Sequence, residues 1–360
     1  MTKKINIKAV NSPARKHVRY LQVLEKQAFL AYRIAMRHMV EELRLLLQQE
    51  KLMKSDKLGT GWTGDVNKIS LNMNEVIEKV IGKYMKALQW TLLGDYAGKD
   101  ARAMAKKLGF VDKFVPGIMQ AAYLNSLDMH QEQFQNVMGQ IPADIPKYLL
   151  EASMDKIAER TNRYIGSVSL QLENSILLSL DRIFEDLHMG NIASVHKKAT
   201  SLMTASDSLD PLTVIKDVSQ DLRSEVPKSW FDREVKQAVN NFRPNWERTI
   251  RGEVGLSSAA ATHQAIQEIY GGNDDQMRVV WLTDRSNRVC QFCNHISMHA
   301  NGEFKYYTLK DLKPSGYNIG KKKAQWGMAI PPGTHVNCRC FLVFVPSGFK
   351  VSPTGELSPI

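Results

Sequence analysis

The stretch PPGTHVNCRCFLVFV, residues 331–345, decides how this chain is read. Two prolines lead into His335, Cys338 and Cys340, and five apolar residues follow, mostly β-branched or aromatic, the composition of a strand. The chain has 4 cysteines in 360 residues. The other two, Cys290 and Cys293, form a C-x-x-C just after MRVVWLT (277–283), a second strand-like run. Pairing the two strands would bring both cysteine clusters together around the long loop between them.

Two thiols two residues apart face one metal across a turn, and the second cluster closes the tetrahedron. Zn2+ prefers such N and S donors in closed structural sites. Five candidates stand for four places: Cys290, Cys293, His335, Cys338 and Cys340. Cys290, Cys293 and Cys338 come first. His335, at an i, i+3 spacing from Cys338, and Cys340, which opens a strand and can face the core instead, compete for the fourth. His295 and His299 read as loop or solvent histidines.

Other uses of the cysteines fit less well. The N-terminal MTKKINIKAVNSPARKHVRYL is basic and lacks the apolar core of a secretory signal, so the chain is expected in a reducing compartment, where disulfides are rare. A redox C-x-x-C belongs between a strand and a helix in a βαβ unit, whereas a polar, Gly-containing loop follows this one. A zinc deaminase needs H-x-E before P-C-x-x-C, and none occurs here. Inert core cysteines would not need this spacing.

The first 270 residues read as mainly helical. Ser12-Pro13 looks like a helix start. Leu21, Leu24, Ala28, Ala31, Ala35, Met39, Leu43 and Leu46 then recur at three- and four-residue steps on one helical face. KSDKLGTGWTGD (54–65) is a break, and helical pattern resumes near Asn74 and runs through DARAMAKKL. Pro116 restarts the chain, and a long stretch from Ile141 ends in the stop chemistry of Gly190-Asn191. TASDSLDPLT (204–213) is a connector, Pro244 separates two further helices, and Gly271-Gly272 ends the second. The tail after Pro346, rich in Ser, Pro and Gly, reads as peripheral. The expected class is mainly α: an extended helical N-terminal region (1–228, with breaks near 52–73 and 200–228), then a smaller α+β, zinc-stapled C-terminal domain (229–346) and a tail (347–360).

Lys and Arg number 48 against 37 Asp and Glu, a formal charge of +11 and a pI of about 9.3. Such a balance favours an anionic neighbour, nucleic acid or an acidic protein surface. Residues 1–50 hold ten Lys or Arg against four Glu. Lys3, Lys4, Arg15 and Lys16 there, with Lys321, Lys322 and Lys323 in the later loop, are the candidate phosphate-binding residues. Binding to DNA is expected to be weak and indifferent to sequence, because no aromatic residues alternate with the 321–323 lysines as a stacking platform would require. The plain alternative is two solvated basic faces. No apolar run reaches the roughly 18 residues that span a bilayer, so no membrane partner is expected.

The order W-x-T-D-x-S-x-R-x-C-x-x-C (281–293), Gly302 and Phe304, Pro331-Pro332, H-x-N-C-R-C (335–340) and an apolar strand resembles the C-terminal domain of the phage Mu F-like, or head-morphogenesis, minor head proteins of tailed bacteriophages. The preceding WERTIRGEVGLSSAAATHQAIQEIY also resembles that family's Arg- and Glu-bearing helix. The resemblance covers about residues 230–346. Departures are Val336 where the family often has proline, and the long basic loop 294–330. The resemblance implies a structural virion component, assembled in the bacterial cytoplasm and placed inside the head or at the portal vertex. Its implied partners are the portal protein, other head proteins and packaged DNA, its implied role lies in head morphogenesis and DNA packaging or delivery, and no catalytic activity is implied. The alternatives are a zinc-stabilised HNH-like nuclease, for which His335 is the one candidate, and a general DNA-binding protein.

Overall fold

The computed structural model describes residues 8–49, 66–139, 144–205, 228–269, 278–283, 289–332, 334–335, 338, 340–345, 348–351 and 357–360. Over these the chain is mainly helical, with a small antiparallel sheet toward the C-terminal end. The helices are α1 (Lys8–Gln49), α2 (Val66–Leu93), α3 (Lys99–Lys107), α4 (Ile118–Met138), α5 (Lys147–Ala205), α6 (Lys228–Ile269) and the short α7 (Gln291–Ser297). The stripe from Leu21 to Leu43 is the buried face of α1.

Several helix ends differ from the sequence reading. Helix α1 begins at Lys8 and carries Pro13 inside it, α2 begins at Val66, α5 passes through Gly190 and Asn191, and α6 runs unbroken through Pro244. A glycine or proline stop signal is worth about 1–3 kcal/mol, and packing of the flanks offsets it. Phe242 and Trp246, which bracket Pro244, are both buried, and one such side chain contributes about 1.5–3 kcal/mol. The break at 54–65 and Gly271-Gly272 lie outside the described residues, as does the connector beyond Ala205.

The chain forms two compact units: Met1–Tyr32 with Lys86–Tyr164 and Asn245–Ile360, and Arg33–Met85 with Ile165–Pro244. The order of sequence character, helical to 228 and mixed beyond, is therefore cut across by the compact units. The second unit is helical. Its core is built from Met36, Met39 and Leu43 of α1, Ile77 and Ile81 of α2, Leu172, Ile176 and Leu180 of α5, and Phe231 and Val235 of α6. Glu42 ties two of these stretches by accepting from Lys83 Nζ at 2.7 Å and Tyr84 Oη at 2.8 Å.

The first unit holds the sheet. Strand β1 (Arg278–Leu282) lies between β2 (Tyr306–Tyr307) and β3 (Phe341–Val345), antiparallel to both. Its register against β3 runs from Arg278↔Val345 to Leu282↔Phe341. Side chains alternate across a sheet, so Val279, Trp281, Cys340 and Leu342 face one core, with Ala259 and Ile266 of α6. Val280, Leu282, Phe341, Val343 and Val345 face another, with Ala14 of α1 and Met129 of α4. Burial on both faces explains why these strands read as continuous apolar runs.

The described part of the tail is paired. Strands β4 (Phe349–Val351) and β5 (Leu357–Pro359) pair as a hairpin. Val351 is buried, its N–H donates to Tyr306 Oη at 2.7 Å, and Arg278 Nη2 donates to the Phe349 carbonyl at 3.0 Å. Backbone pairing and one apolar anchor outweigh the Ser, Pro and Gly content.

Three helices of this unit are joined by a buried polar network that sequence reasoning did not single out. His17 Nδ1 lies 2.6 Å from Asn125 Oδ1 and its Nε2 lies 2.8 Å from Ser258 Oγ. Ser126 Oγ donates to the Ser258 carbonyl at 3.0 Å, and His130 Nε2 lies 3.1 Å from Thr262 Oγ1. The Ser258–His17–Asn125 order is that of a hydrolase triad, but Ser258 has no exposed surface and His17 is 3% exposed. The network is packing, with each buried polar group given a partner. Glu253, also buried, accepts from Thr161 Oγ1 at 2.8 Å and Arg160 Nε at 3.0 Å.

Burial pushes His17 down to about 4 and His130 down to about 3 from 6.5. Between pH 6.5 and those values the unfolded chain binds more protons than the folded one, so stability falls as pH falls through the window. The loss should reach about 3 kcal/mol per histidine by pH 4 and about 2 kcal/mol each by pH 5. Urea unfolding at pH 7 and pH 5 checks this, and a His130→Gln chain should show a shallower dependence than the native sequence.

Candidate metal centre

The C-x-x-C follows β1, and its geometry is set by α7. Cys290 caps that helix, and the Cys293 N–H donates to Cys290 Sγ at 3.3 Å. Ser297 Oγ donates to the Trp281 carbonyl at 2.7 Å and Tyr307 Oη to the Ile296 carbonyl at 2.6 Å. These bonds hold α7 against β1 and β2, with Cys293 turned inward and buried. The second cluster arrives on the lead into β3. The Cys338 N–H donates to the His335 carbonyl at 3.0 Å, and Cys340 enters the same apolar core as Cys293 and Cys338.

All five sequence candidates converge. His335 Nε2 lies 3.3 Å from Cys290 Sγ and 3.2 Å from Cys293 Sγ. Two donor groups result, Cys290–Cys293–His335 and Cys293–Cys338–Cys340, each with donor atoms within 4.8 Å of one another. Cys293 belongs to both. Zinc–sulfur and zinc–nitrogen bonds of about 2.3 and 2.0 Å give a tetrahedron with edges of about 3.5–3.8 Å, close to the spacing found. His295 and His299 are exposed and belong to neither group. All four cysteines are free thiols.

The electrostatics fit a cation. Hydrogen bonds to Cys338 and Cys340, then burial, push the Cys293 thiol up. Burial alone would raise Cys338, but hydrogen bonds from Cys293 and Cys340 and the charge of nearby His335 hold it below the usual thiol value. For Cys340 a hydrogen bond with Cys293 favours the thiolate, while Cys338 and burial prevail and raise it. Three buried sulfurs this close hold little negative charge by themselves. A divalent ion removes that restriction, because a coordinating thiol is deprotonated outright. The residues present therefore fit a metal ion, bound by thiolate and imidazole.

Sequence reasoning missed the groups around the donors. Trp326 stacks on His335 with ring centres 5.1 Å apart and planes 7° apart, and Phe292 meets the Trp326 ring edge-on at 5.6 Å. The intervening segment is folded rather than loose. Asn318 bonds both the Gly327 N–H and carbonyl at 2.8 Å, Trp326 Nε1 donates to the Lys321 carbonyl at 3.1 Å, and Leu309, Leu312 and Ile330 enter the core beside the cysteines. No local spacing announces this bracing, although the buried Asn318 and the tryptophan in a lysine-rich stretch were its available signals.

The basic candidates lie outside this cluster. Lys321, Lys322 and Lys323 are exposed, and Lys321 Nζ sits 3.0 Å from the centre of the Tyr317 ring. Arg15 and Lys16 are exposed on α1, with Lys16 Nζ 3.7 Å from Glu132. Lys3 and Lys4 lie outside the described residues. Among the described residues no helix is long and apolar enough to cross a membrane.

Cys293, shared by both donor groups, should be the most sensitive position. Cys293→Ala should lower affinity for added zinc by more than about 100-fold, beyond the range of substitutions outside the ligand shell. Competition titration against a chromophoric chelator measures this, with Cys290→Ala, at the half-exposed edge, expected to lose less.

Comparison of the chain with protein-family models, curated proteins and solved structures finds no match in any of the three.

Proposed function

We propose that the chain is a structural minor head protein of a tailed bacteriophage, acting near the portal vertex in head morphogenesis and in DNA packaging or delivery, with a C-terminal domain fixed by one structural zinc ion. The observation that carries this reading is physical unity. The parts that resemble the Mu F-like domain are the tryptophan strand, the C-x-x-C, the paired prolines, the histidine and C-R-C cluster and the apolar strand. The tryptophan strand, the four cysteines, His335 and the apolar strand meet in one assembly around five donors. Zinc suits those donors because they are thiols and an imidazole without a carboxylate. When bound, the ion supplies a non-redox cross-link between the α7 turn and the lead into β3. The chain's own residues supply the rest: α7 presents the first pair, Trp326 fixes the His335 ring plane, and the β1–β3 register places Cys340.

Packaged DNA would meet exposed Lys321, Lys322 and Lys323 through phosphates, without base reading. Against the nuclease alternative stands the engagement of His335 Nε2 with two thiols, at 3.3 and 3.2 Å, which leaves that nitrogen no place as a base beside a second catalytic metal.

The deciding experiment is mass spectrometry of purified, DNA-filled particles of the virus whose genome encodes the chain. The chain should be present and should co-purify with the portal protein; its absence from particles would refute the proposal. The isolated chain should carry one zinc by elemental analysis and should not cleave plasmid DNA with Mg2+ or Mn2+. Its affinity for random-sequence duplex should fall steeply with salt. Replacing Lys321, Lys322 and Lys323 by Ala should reduce the slope of log K against log salt by up to about 3, one for each phosphate that a lysine no longer neutralises.

A further inference from the structure

The sheet places one more polar group against the donors, and the zinc reading does not use it. Trp281 stands opposite Leu342 in the β1–β3 register, and Cys340 lies two residues before Leu342, on the same face. Trp281 has no exposed surface. Its indole N–H has no hydrogen bond of normal geometry among the described residues. A buried N–H without an acceptor destabilises the folded chain, and an indole offers no second polar atom to offset it. The Cys340 sulfur is the nearest metal-ligating candidate on that face: it lies diagonally across the strand pair from Trp281, in the same buried cluster. A thiol sulfur is a weak acceptor, whereas an ionised acceptor makes a hydrogen bond about twice as strong.

We propose that Trp281 is a positioning residue of the metal centre: when a metal ion holds Cys340 as a thiolate, the Trp281 indole N–H donates to that sulfur and fixes Cys340 among the ligands. The proposal rests on the metal reading of the site and goes beyond it by committing to Cys340 as a ligand and by giving the orphaned indole a partner. Trp281 plays the part that second-layer hydrogen bonds play at other metal centres, orienting a ligand and setting its donor strength. The tryptophan of β1 thereby acquires a chemical role in addition to its packing.

The test uses the full chain and zinc itself. In two-dimensional 1H–15N spectra of the native sequence, one of the 6 tryptophan indole signals should move downfield on zinc addition and exchange more slowly with solvent. In Cys340→Ala that signal should stay in place. Trp281→Phe, which keeps the aromatic core and removes the donor, should bind zinc about 10–100-fold more weakly. Two results would overturn the inference alone: native chain that binds zinc with every indole signal unmoved, or Trp281→Phe binding zinc within about twofold of the native chain, below any second-layer effect. Native chain that takes up no zinc would overturn the metal reading together with it. Where Trp281→Phe fails to fold, the indole shift in the native chain and its loss in Cys340→Ala decide.

Discussion

The pairing of β1 with β3 is the constraint on which the C-terminal part of the molecule depends. A strand has two faces, and a slip of one residue exchanges them. In the register found, Trp281, Cys340 and Leu342 share a face with Cys293 and Cys338, while Phe341, Val343 and Val345 look toward α1 and α4. Shifted by one, Cys340 would be carried out of the donor cluster and Phe341 driven into it. The same pairing brings together two ends of the motif separated by the whole 294–334 segment. The donor set is thus a consequence of sheet geometry before it is a matter of metal chemistry.

At this site the apolar core and the polar chemistry are one structure. Cys293, Cys338 and Cys340 are packed among Ile266, Ile296, Leu309 and Leu342. Such surroundings favour neutral thiols, and a cation reverses that preference. The outer side is different: Cys290 and His335 are half-buried, and Trp326 stacks on His335. The cluster therefore has a dry side and a wetter side.

Much of this was legible in the sequence, and the failures share a cause. FLVFV and VVWLT announced themselves because both faces are buried and most of the residues are β-branched or aromatic. The five donors were legible because ligand spacing is local. Helix ends at Pro13, Gly190 and Pro244 were misread because a local stop is a small term that packing on either side overrides. The bracing by Trp326 and Asn318 went unread because it depends on the path of a folded segment. The His17–Asn125–Ser258 network left a faint trace, a histidine continuing the buried stripe of α1 through Ala14, His17 and Leu21. Its partners lie 108 and 241 residues away in the chain, and no periodicity connects them.

That separation bears on how the molecule comes into being. Ribosomes add about 5–20 residues per second, so His17 has been made roughly 10–50 s before Ser258 leaves the exit tunnel. During that interval the apolar stripe of α1 waits for companions not yet synthesised, since its unit also draws on Lys86–Tyr164 and Asn245–Ile360. The segment Asn245–Ile360 carries both the sheet and the cysteines. Completion of the first unit thus waits long after α1 has been made.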